Sequence, residues 1–278
     1  MVIIGPGLVG GSLGLAVRKR RLAGQVVGVG HRQTSIDRAL ARGSIDRGSL
    51  DPVSAVNGAD AVILCTAVGL IGPMIEQLVD QLKPGCIVSD VGSTKAGIVR
   101  HAEEVLPTKV HFVGAHPIAG SERRGVDYAD ANLFQNHVCI LTPTANTDGE
   151  ALAKMQQLWT TVGARVLTLR PEQHDEILAR TSHLPHVAAA ALLAALEDTD
   201  VPFVGQGFRD TTRIGSGDPD LWVDILLANR EGVLTALESF SGQLQQLREA
   251  LEKNEAETLR DFLVRARDRR ETKLTDPL

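Results

Sequence analysis

Short apolar runs alternate with amphipathic stretches through the first 170 residues of the 278-residue chain. Runs rich in β-branched residues predict strands at 2–4, 26–29, 61–66, 86–91, 110–114, 138–142 and 165–169. Between several of them, helical spacing of apolar positions predicts helices over 9–21, 71–82, 95–106 and 150–162. Turn formers, Pro84-Gly85 and Gly163, stand at the joins. This rhythm describes a mostly parallel sheet covered by helices on both faces. After Pro171 the β-branched runs end and apolar residues recur at helical spacing. The stretch 174–197, rich in Ala and Leu, is expected to be buried on most sides. The stretch 221–251 is strongly periodic in leucine, and 255–270 reads as a last, more polar helix. The predicted class is therefore α/β: a doubly wound, mostly parallel sheet over residues 1–171, then an all-α domain over 172–278. Helices this long and apolar need cover, so the second domain is expected to pack partly against a second copy, forming a homodimer. Nothing after residue 254 offers another sheet, which argues against an appended regulatory α/β domain.

Composition narrows the picture only a little. With 43% hydrophobic and 23% charged residues the chain is an ordinary globular protein. A net charge of −5 gives no reason to expect nucleic acid or an anionic membrane as a partner. Cys65, Cys86 and Cys139 lie far apart in apolar runs, without metal-ligand spacing. They read as small hydrophobes in a reducing compartment, and no metal site is expected. No run approaches the length of a membrane span, and the chain opens directly on Val-Ile-Ile-Gly, so a cytoplasmic location without a leader is expected.

The first chemical signal is VIIGPGLVGG, where Gly5, Gly7 and Gly10 have G-x-G-x-x-G spacing between a strand and an apolar helix. That context identifies a Rossmann-type nucleotide loop: Gly5 for the tight turn, Gly7 for close approach to a pyrophosphate, Gly10 for helix–strand packing. Leu8 and Val9 open the helix, whose free N–H groups face the phosphates. The second strand ends VVGVGHRQTS. An NAD site usually carries an acid there, about 20 positions after the loop. Here Gly30 replaces it and His31 and Arg32 follow, while Asp37 comes late enough to start or cap the next helix. Removing a carboxylate and adding a guanidinium both favour a 2′-phosphate, so NADP is expected ahead of NAD.

Ligands of open α/β sheets lie beyond the carboxyl ends of the strands. Three such ends are polar or small: Thr66-Ala67, a candidate wall for ribose or nicotinamide; Gly92-Ser93-Thr94-Lys95; and His116 in GAHPIAGSE. Ser93 alone would read as a helix cap, and His116 as a strand-end turn residue. Following adjacent strands on the nicotinamide side, they read instead as partners in hydride chemistry, with His116 the proton acceptor.

The segments GPGLVGG, DVGSTK, GAHPIAGSE, TSHLPH and GFRDTTRI occur in an order and spacing that resemble the prephenate/arogenate dehydrogenase family of tyrosine biosynthesis. The resemblance covers nearly the whole chain. It implies oxidative decarboxylation of a cyclohexadienol bearing a ring carboxylate, arogenate or prephenate. His116 would accept the ring hydroxyl's hydrogen bond and Ser93 would orient that hydroxyl. Arg213 would anchor a carboxylate, with an ion pair to Asp210 or Asp218 as the structural alternative and Arg209 the better candidate for it. His183 and His186 flank Pro185, with His186 favoured for substrate contact, and Ser121 and Glu122 would line the side-chain pocket. The Gly30-His31-Arg32 loop is similar to that of members that prefer arogenate.

Two rivals share the predicted fold. Hydroxyacid or imine oxidoreductases with helical dimer domains often depend on a lysine there, and residues 178–251 contain none. A non-catalytic NADPH-binding protein would keep the glycine loop but has no need to align Ser93, His116 and Arg213.

Overall fold

The computed structural model describes residues 1–120 and 123–273. The chain starts in the middle of its sheet. Strand β1 (Val2–Ile4) is buried on both faces and leads through helix α1 (Leu8–Lys19) to β2 (Val27–Val29). Helix α2 (Gln33–Ala41) then leads to the edge strand β3 (Arg47–Ser49). A short helix, α3 (Pro52–Ala55), begins the crossover to the other side of β1. There β4 (Ala61–Leu64), α4 (Val68–Leu78), β5 (Ile87–Asp90), α5 (Ala96–Val105) and β6 (His111–Pro117) follow. The sheet ends with β7 (Val138–Thr142), α6 (Gly149–Thr161) and β8 (Arg165–Thr168). Strand order is β3-β2-β1-β4-β5-β6-β7-β8, parallel except for the antiparallel β6–β7 pair. The order reverses between β1 and β4, which opens a crevice at their carboxyl ends.

Alternation along the strands explains the two layers of core. Ile3 and Ile63 point to one face, toward Leu13, Val17 and Trp159. Val2, Ile4, Val62 and Leu64 point to the other, toward Ile71, Ile75 and Ile98. Ile225, from the helical domain, joins this second core and seats that domain on the sheet's helices.

Beyond β8 the chain is helical: α7 (Pro171–Leu178), a π turn (Ala179–His183), α8 (Leu184–Ala194), α9 (Gln206–Thr212), α10 (Pro219–Ala228), α11 (Arg230–Glu252) and α12 (Ala256–Lys273). At the start of helix α7 the Arg170 N–H donates to Gln173 Oε1 at 3.2 Å, and Pro171 stands in the first turn. Pro185 removes a backbone donor from what would be one long helix, and the wide turn at 179–183 accommodates the loss.

Several details differ from the periodic reading. Strand β3 is short and carries Arg47-Gly48-Ser49, so no apolar run announced it. Strand β6 extends through His116 and Pro117, because pairing with β7 prolongs it past the predicted end. Asp37 neither starts nor caps α2; it lies inside that helix and accepts from Gln33. The stretch 221–251 is two helices, broken at Asn229. Residues 190–195, within the stretch 174–197, are exposed in the single chain, as are Leu227, Leu251 and Phe203, the last at 87%. The apolar face expected to meet a second copy is thus open on one protomer.

The close approach of α1 to the loop before β3 rests on Gly14, where a Cβ would overlap the buried Ser44 carbonyl oxygen. Alanine is the better helix former by about 1 kcal/mol, yet backbone overlap outweighs that gain. Gly14→Ala is expected to lower unfolding free energy by about 1–3 kcal/mol in urea titrations; an unchanged midpoint would contradict this packing.

Candidate active site

The nucleotide loop has the three glycines in distinct settings. Gly5 has φ +88°, and its N–H donates to Val29 O at 2.9 Å. A Cβ there would overlap Cys65 O, and one at Gly10 would overlap Gly5 O and press on Ile3. A Cβ at Gly7 would meet nothing within 4 Å, so this face is open to a ligand. Gly7 is also the N-cap of α1, no side chain caps it, and Leu8 and Val9 are partly exposed there. Free N–H groups at a 12-residue helix with an open approach fit a pyrophosphate. Across the crevice the Thr66 hydroxyl is buried and has no partner among the described residues, beside Ala67, the uncapped start of α4. An orphaned hydroxyl at this point fits a ribose or nicotinamide donor–acceptor group.

At the end of β2, Gly30 is partly exposed and His31 and Arg32 are exposed. Arg32 is the N-cap residue of α2, and that helix has no acid in its first turn. Among the described residues no hydrogen bond or ion pair engages the Arg32 guanidinium.

The ends of β5 and β6 hold a buried polar network. The Asp90 carboxylate accepts from Gly92 N–H at 2.9 Å, from Ala115 N–H at 3.2 Å and from the Lys95 ammonium. Lys95 also donates to Ala115 O at 3.0 Å, and both side chains are fully buried. This pair ties the loop after β5, which bears Ser93, to the strand that bears His116. Ser93 is half-buried, and among the described residues its hydroxyl has no hydrogen-bond partner. It does not cap α5: the Lys95 and Ala96 N–H groups donate instead to Asp175, at 2.7 and 2.9 Å. Asp175 comes from α7, so the amino end of a sheet-domain helix is capped by the helical domain.

Asp175 also contacts His174 Nδ1 at 2.8 Å, and His174 Nε2 contacts His116 Nδ1 at 2.8 Å. His116 is half-buried, and among the described residues nothing binds its Nε2. Burial, then the neighbouring His174, Lys95 and His183, hold the His116 pKa well below the ordinary histidine value. Burial lowers the pKa of His174 as well, against the opposing pull of Asp175.

The helical domain supplies a second cluster. His186 stacks on Trp222, with ring centroids 3.5 Å apart and planes 9° from parallel, and its buried Nδ1 has no partner among the described residues. Burial lowers its pKa, the Ile214 backbone opposing. Gly217, in the turn after Arg213, packs against both rings. Arg213 is exposed, and among the described residues it has no ion pair; Asp218 pairs with Arg124 at 2.6 Å and Asp210 accepts from Gln206. The ion pair considered for Arg209 is likewise absent among the described residues. His183 is 1% exposed, with Nδ1 3.2 Å from Asn229 Nδ2, whose amide also donates to Asp175 O at 2.7 Å. His183 thus sits behind the site, joined to the same network. Ser121 and Glu122 lie outside the described residues.

His174, Asp175, Lys95, Asp90 and Trp222 were not singled out from sequence. One available signal was the adjacent His-Asp pair in RPEQHDEIL, two polar residues on the inward face of an expected helix.

A glycine loop at the switch point of a doubly wound sheet, with a buried histidine pair where the end of β6 meets a helical second domain, fits a nicotinamide-dinucleotide oxidoreductase. A family model described as prephenate dehydrogenase, nucleotide-binding domain, matches residues 13–168, and one described as prephenate dehydrogenase, dimerization domain, matches 170–265. The chain belongs to the prephenate dehydrogenase family, oxidoreductases of tyrosine biosynthesis. Prephenate dehydrogenase of Bacillus subtilis (strain 168) is 34% identical over 278 residues, 98% of this chain and 75% of that protein. The prephenate dehydrogenase from A. aeolicus in complex with hydroxyphenyl propionate and NAD+ has a TM-score of 0.91 at 34% identity, covering 97% of this chain and 96% of that one. Synechocystis arogenate dehydrogenase has a TM-score of 0.84 at 33% identity, covering 97% and 98%. Among the described residues no helix is long and apolar enough to cross a membrane, and no group of side chains is placed to hold a metal ion.

Burial pushes the His183 pKa down to about 4 from 6.5, with Asp175 opposing and His174 reinforcing the shift. The unfolded chain therefore binds the extra proton between those values. The neutral imidazole's contribution is complete above pH 6.5 and is lost as pH falls toward 4, on the order of 3 kcal/mol in total. Urea unfolding at pH 7.5 and pH 5 should show this loss, and His183→Gln should reduce it; an identical pH dependence in the variant would refute the assignment.

Proposed function

We propose that this chain catalyses the NADP-dependent oxidative decarboxylation of a cyclohexadienol, arogenate in first place and prephenate in second, with His116 as proton acceptor. The observation that carries the proposal is the state of His116: neutral through burial, held at Nδ1 by His174, with nothing among the described residues on Nε2, at the end of the strand that pairs with β5, which leads to Ser93. A neutral imidazole in that setting accepts the proton of a ring hydroxyl as the carbinol carbon is oxidised. The ring-carboxylate bond then breaks, CO₂ leaves, its bonding pair makes the ring aromatic as a phenolate, and that oxygen takes a proton back, giving tyrosine from arogenate or 4-hydroxyphenylpyruvate from prephenate. A bound nicotinamide dinucleotide supplies the hydride acceptor for this oxidation.

The chain's own residues do the rest by position. Ser93 orients the ring hydroxyl toward His116. Arg213, exposed and without an ion pair among the described residues, offers its guanidinium fork to a substrate carboxylate. His186, fixed against Trp222, contributes a substrate contact through its unpartnered side. His183 supports it from behind. Gly5, Gly7, Leu8, Val9 and Gly10 hold the pyrophosphate, with Thr66 and Ala67 on the nicotinamide side. Gly30, His31 and Arg32 receive the 2′-phosphate. The open apolar face of the helical domain supports a homodimer. The unpaired cysteines, Cys65, Cys86 and Cys139, support a reducing, cytoplasmic setting.

His116→Asn is expected to lower kcat by about 10²–10⁴-fold with either substrate while dinucleotide binding stays unchanged. Retained turnover would remove His116 from the reaction. An assay crossing both substrates with both dinucleotides should show a higher kcat/KM for NADP than for NAD. Arg32→Ala should cut the NADP value by about tenfold, roughly 1.4 kcal/mol, and leave the NAD value nearly unchanged. A clear NAD preference in the unaltered chain would refute the cofactor assignment.

A further inference from the structure

His116 is useful as an acceptor only if its free nitrogen, Nε2, bears a lone pair, so the proton of the neutral ring must sit on Nδ1. The structure contains a chain of contacts that fixes this choice. Both oxygens of Asp175 accept from main-chain donors: Oδ1 from Lys95 N–H at 2.7 Å and Oδ2 from Ala96 N–H at 2.9 Å. A backbone N–H can only donate, and a carboxylate can only accept. His174 Nδ1, 2.8 Å from Oδ1, must therefore carry hydrogen. Neutral His174 then presents a lone pair at Nε2, and this atom lies 2.8 Å from His116 Nδ1. The hydrogen in that contact belongs to His116 Nδ1. The lone pair of His116 is left on Nε2.

We infer that Asp175 and His174 are positioning residues that set the tautomer of His116, so that the amino end of α5 dictates which imidazole nitrogen meets the substrate. This deepens the proposed function and rests on its assignment of His116 as acceptor. The relay has a second effect in the reaction: when the hydroxyl proton arrives at Nε2, the imidazolium remains hydrogen-bonded through His174 to an anion. No second proton moves. The other charged or titratable groups facing the relay are Lys95 and Asp90, from the loop before α5 and the end of β5, and His183 from the π turn. Lys95 and Asp90 are paired with each other, which leaves Asp175 as the anion in contact with His174.

The test reads the tautomers directly, by ¹⁵N–¹H correlation of the full chain labelled at histidine nitrogens, alongside steady-state kinetics. The unaltered protein should show His116 and His174 both with a pyrrole-type Nδ1 and a pyridine-type Nε2. In Asp175→Asn the carboxamide can donate to His174, so both rings should switch to the opposite tautomer. kcat should fall by about 10²–10⁴-fold, as when a triad aspartate is replaced by asparagine, with dinucleotide affinity and substrate KM changed far less. His174→Gln, which retains an acceptor for His116, should keep more kcat than His174→Phe. These two variants and the spectrum of the unaltered protein decide the matter if Asp175→Asn fails to fold. A His116 proton found on Nε2 in the unaltered chain overturns the inference, as does unchanged kcat in a folded Asp175→Asn. Loss of the acceptor reading is a separate result: full turnover in His116→Asn would discard it while leaving the tautomer spectrum to judge the relay.

Discussion

One carboxylate joins the two halves of this molecule. Asp175 begins in the helical domain, but its oxygens are bound by main-chain N–H groups at the amino end of α5 in the sheet domain. A helix start buried without a cap would leave donors unsatisfied, at a cost of about 1–3 kcal/mol each. The sequence around α5 provides no cap of its own. The helical domain is therefore held where the donors are, and it brings His174 with it. Asn229 fastens the arrangement from the other side by donating to the Asp175 backbone, at the break between α10 and α11.

The geometry of the site follows from that attachment. The loop from Asp90 to Lys95 is drawn tight by the buried Asp90–Lys95 pair, which also gathers Ala115 from β6. Removing one member of such a pair leaves an uncompensated charge in a low-dielectric interior, which is why the two are buried together. Ser93 and His116 are thereby placed on neighbouring strand ends. Burial, then His174 and this same positive charge, oppose protonation of His116 in its resting state. Acid–base readiness at this site is a product of packing between domains rather than of the histidine's immediate neighbours in sequence.

How much of this was legible in the chain depended on distance along it. The glycine loop, the acid-free end of β2 and the alternating strands are local patterns, and each has a local physical cause. Gly5, Gly7 and Gly10 take up three distinct settings, one at positive φ, one open and one packed. His116 stood out because a polar residue ended an apolar strand. Its partner His174 lies 58 positions away, and Asp175 is 80 positions from the Lys95 N–H that it accepts. No periodicity encodes such pairings. Strand β3 was missed because it has three residues, none of them apolar, and owes its existence to pairing with β2. The break at Asn229 was hidden by leucine spacing that continues across it, since its cause is a tertiary hydrogen bond to Asp175. Trp222 received no role from the sequence, because the ring it packs against lies 36 positions away; its indole stacks on His186.

The central claim is that this inter-domain carboxylate presents one nitrogen of His116 to the reacting oxygen. A crystal structure of the chain with dinucleotide and an unreactive aromatic analogue bearing the ring oxygen tests it most directly. That oxygen is expected within about 3.2 Å of His116 Nε2, with Nδ1 still on His174 and Asp175 still on the α5 amino end. A ring oxygen held elsewhere, with His116 turned so that Nε2 faces His174, would contradict it.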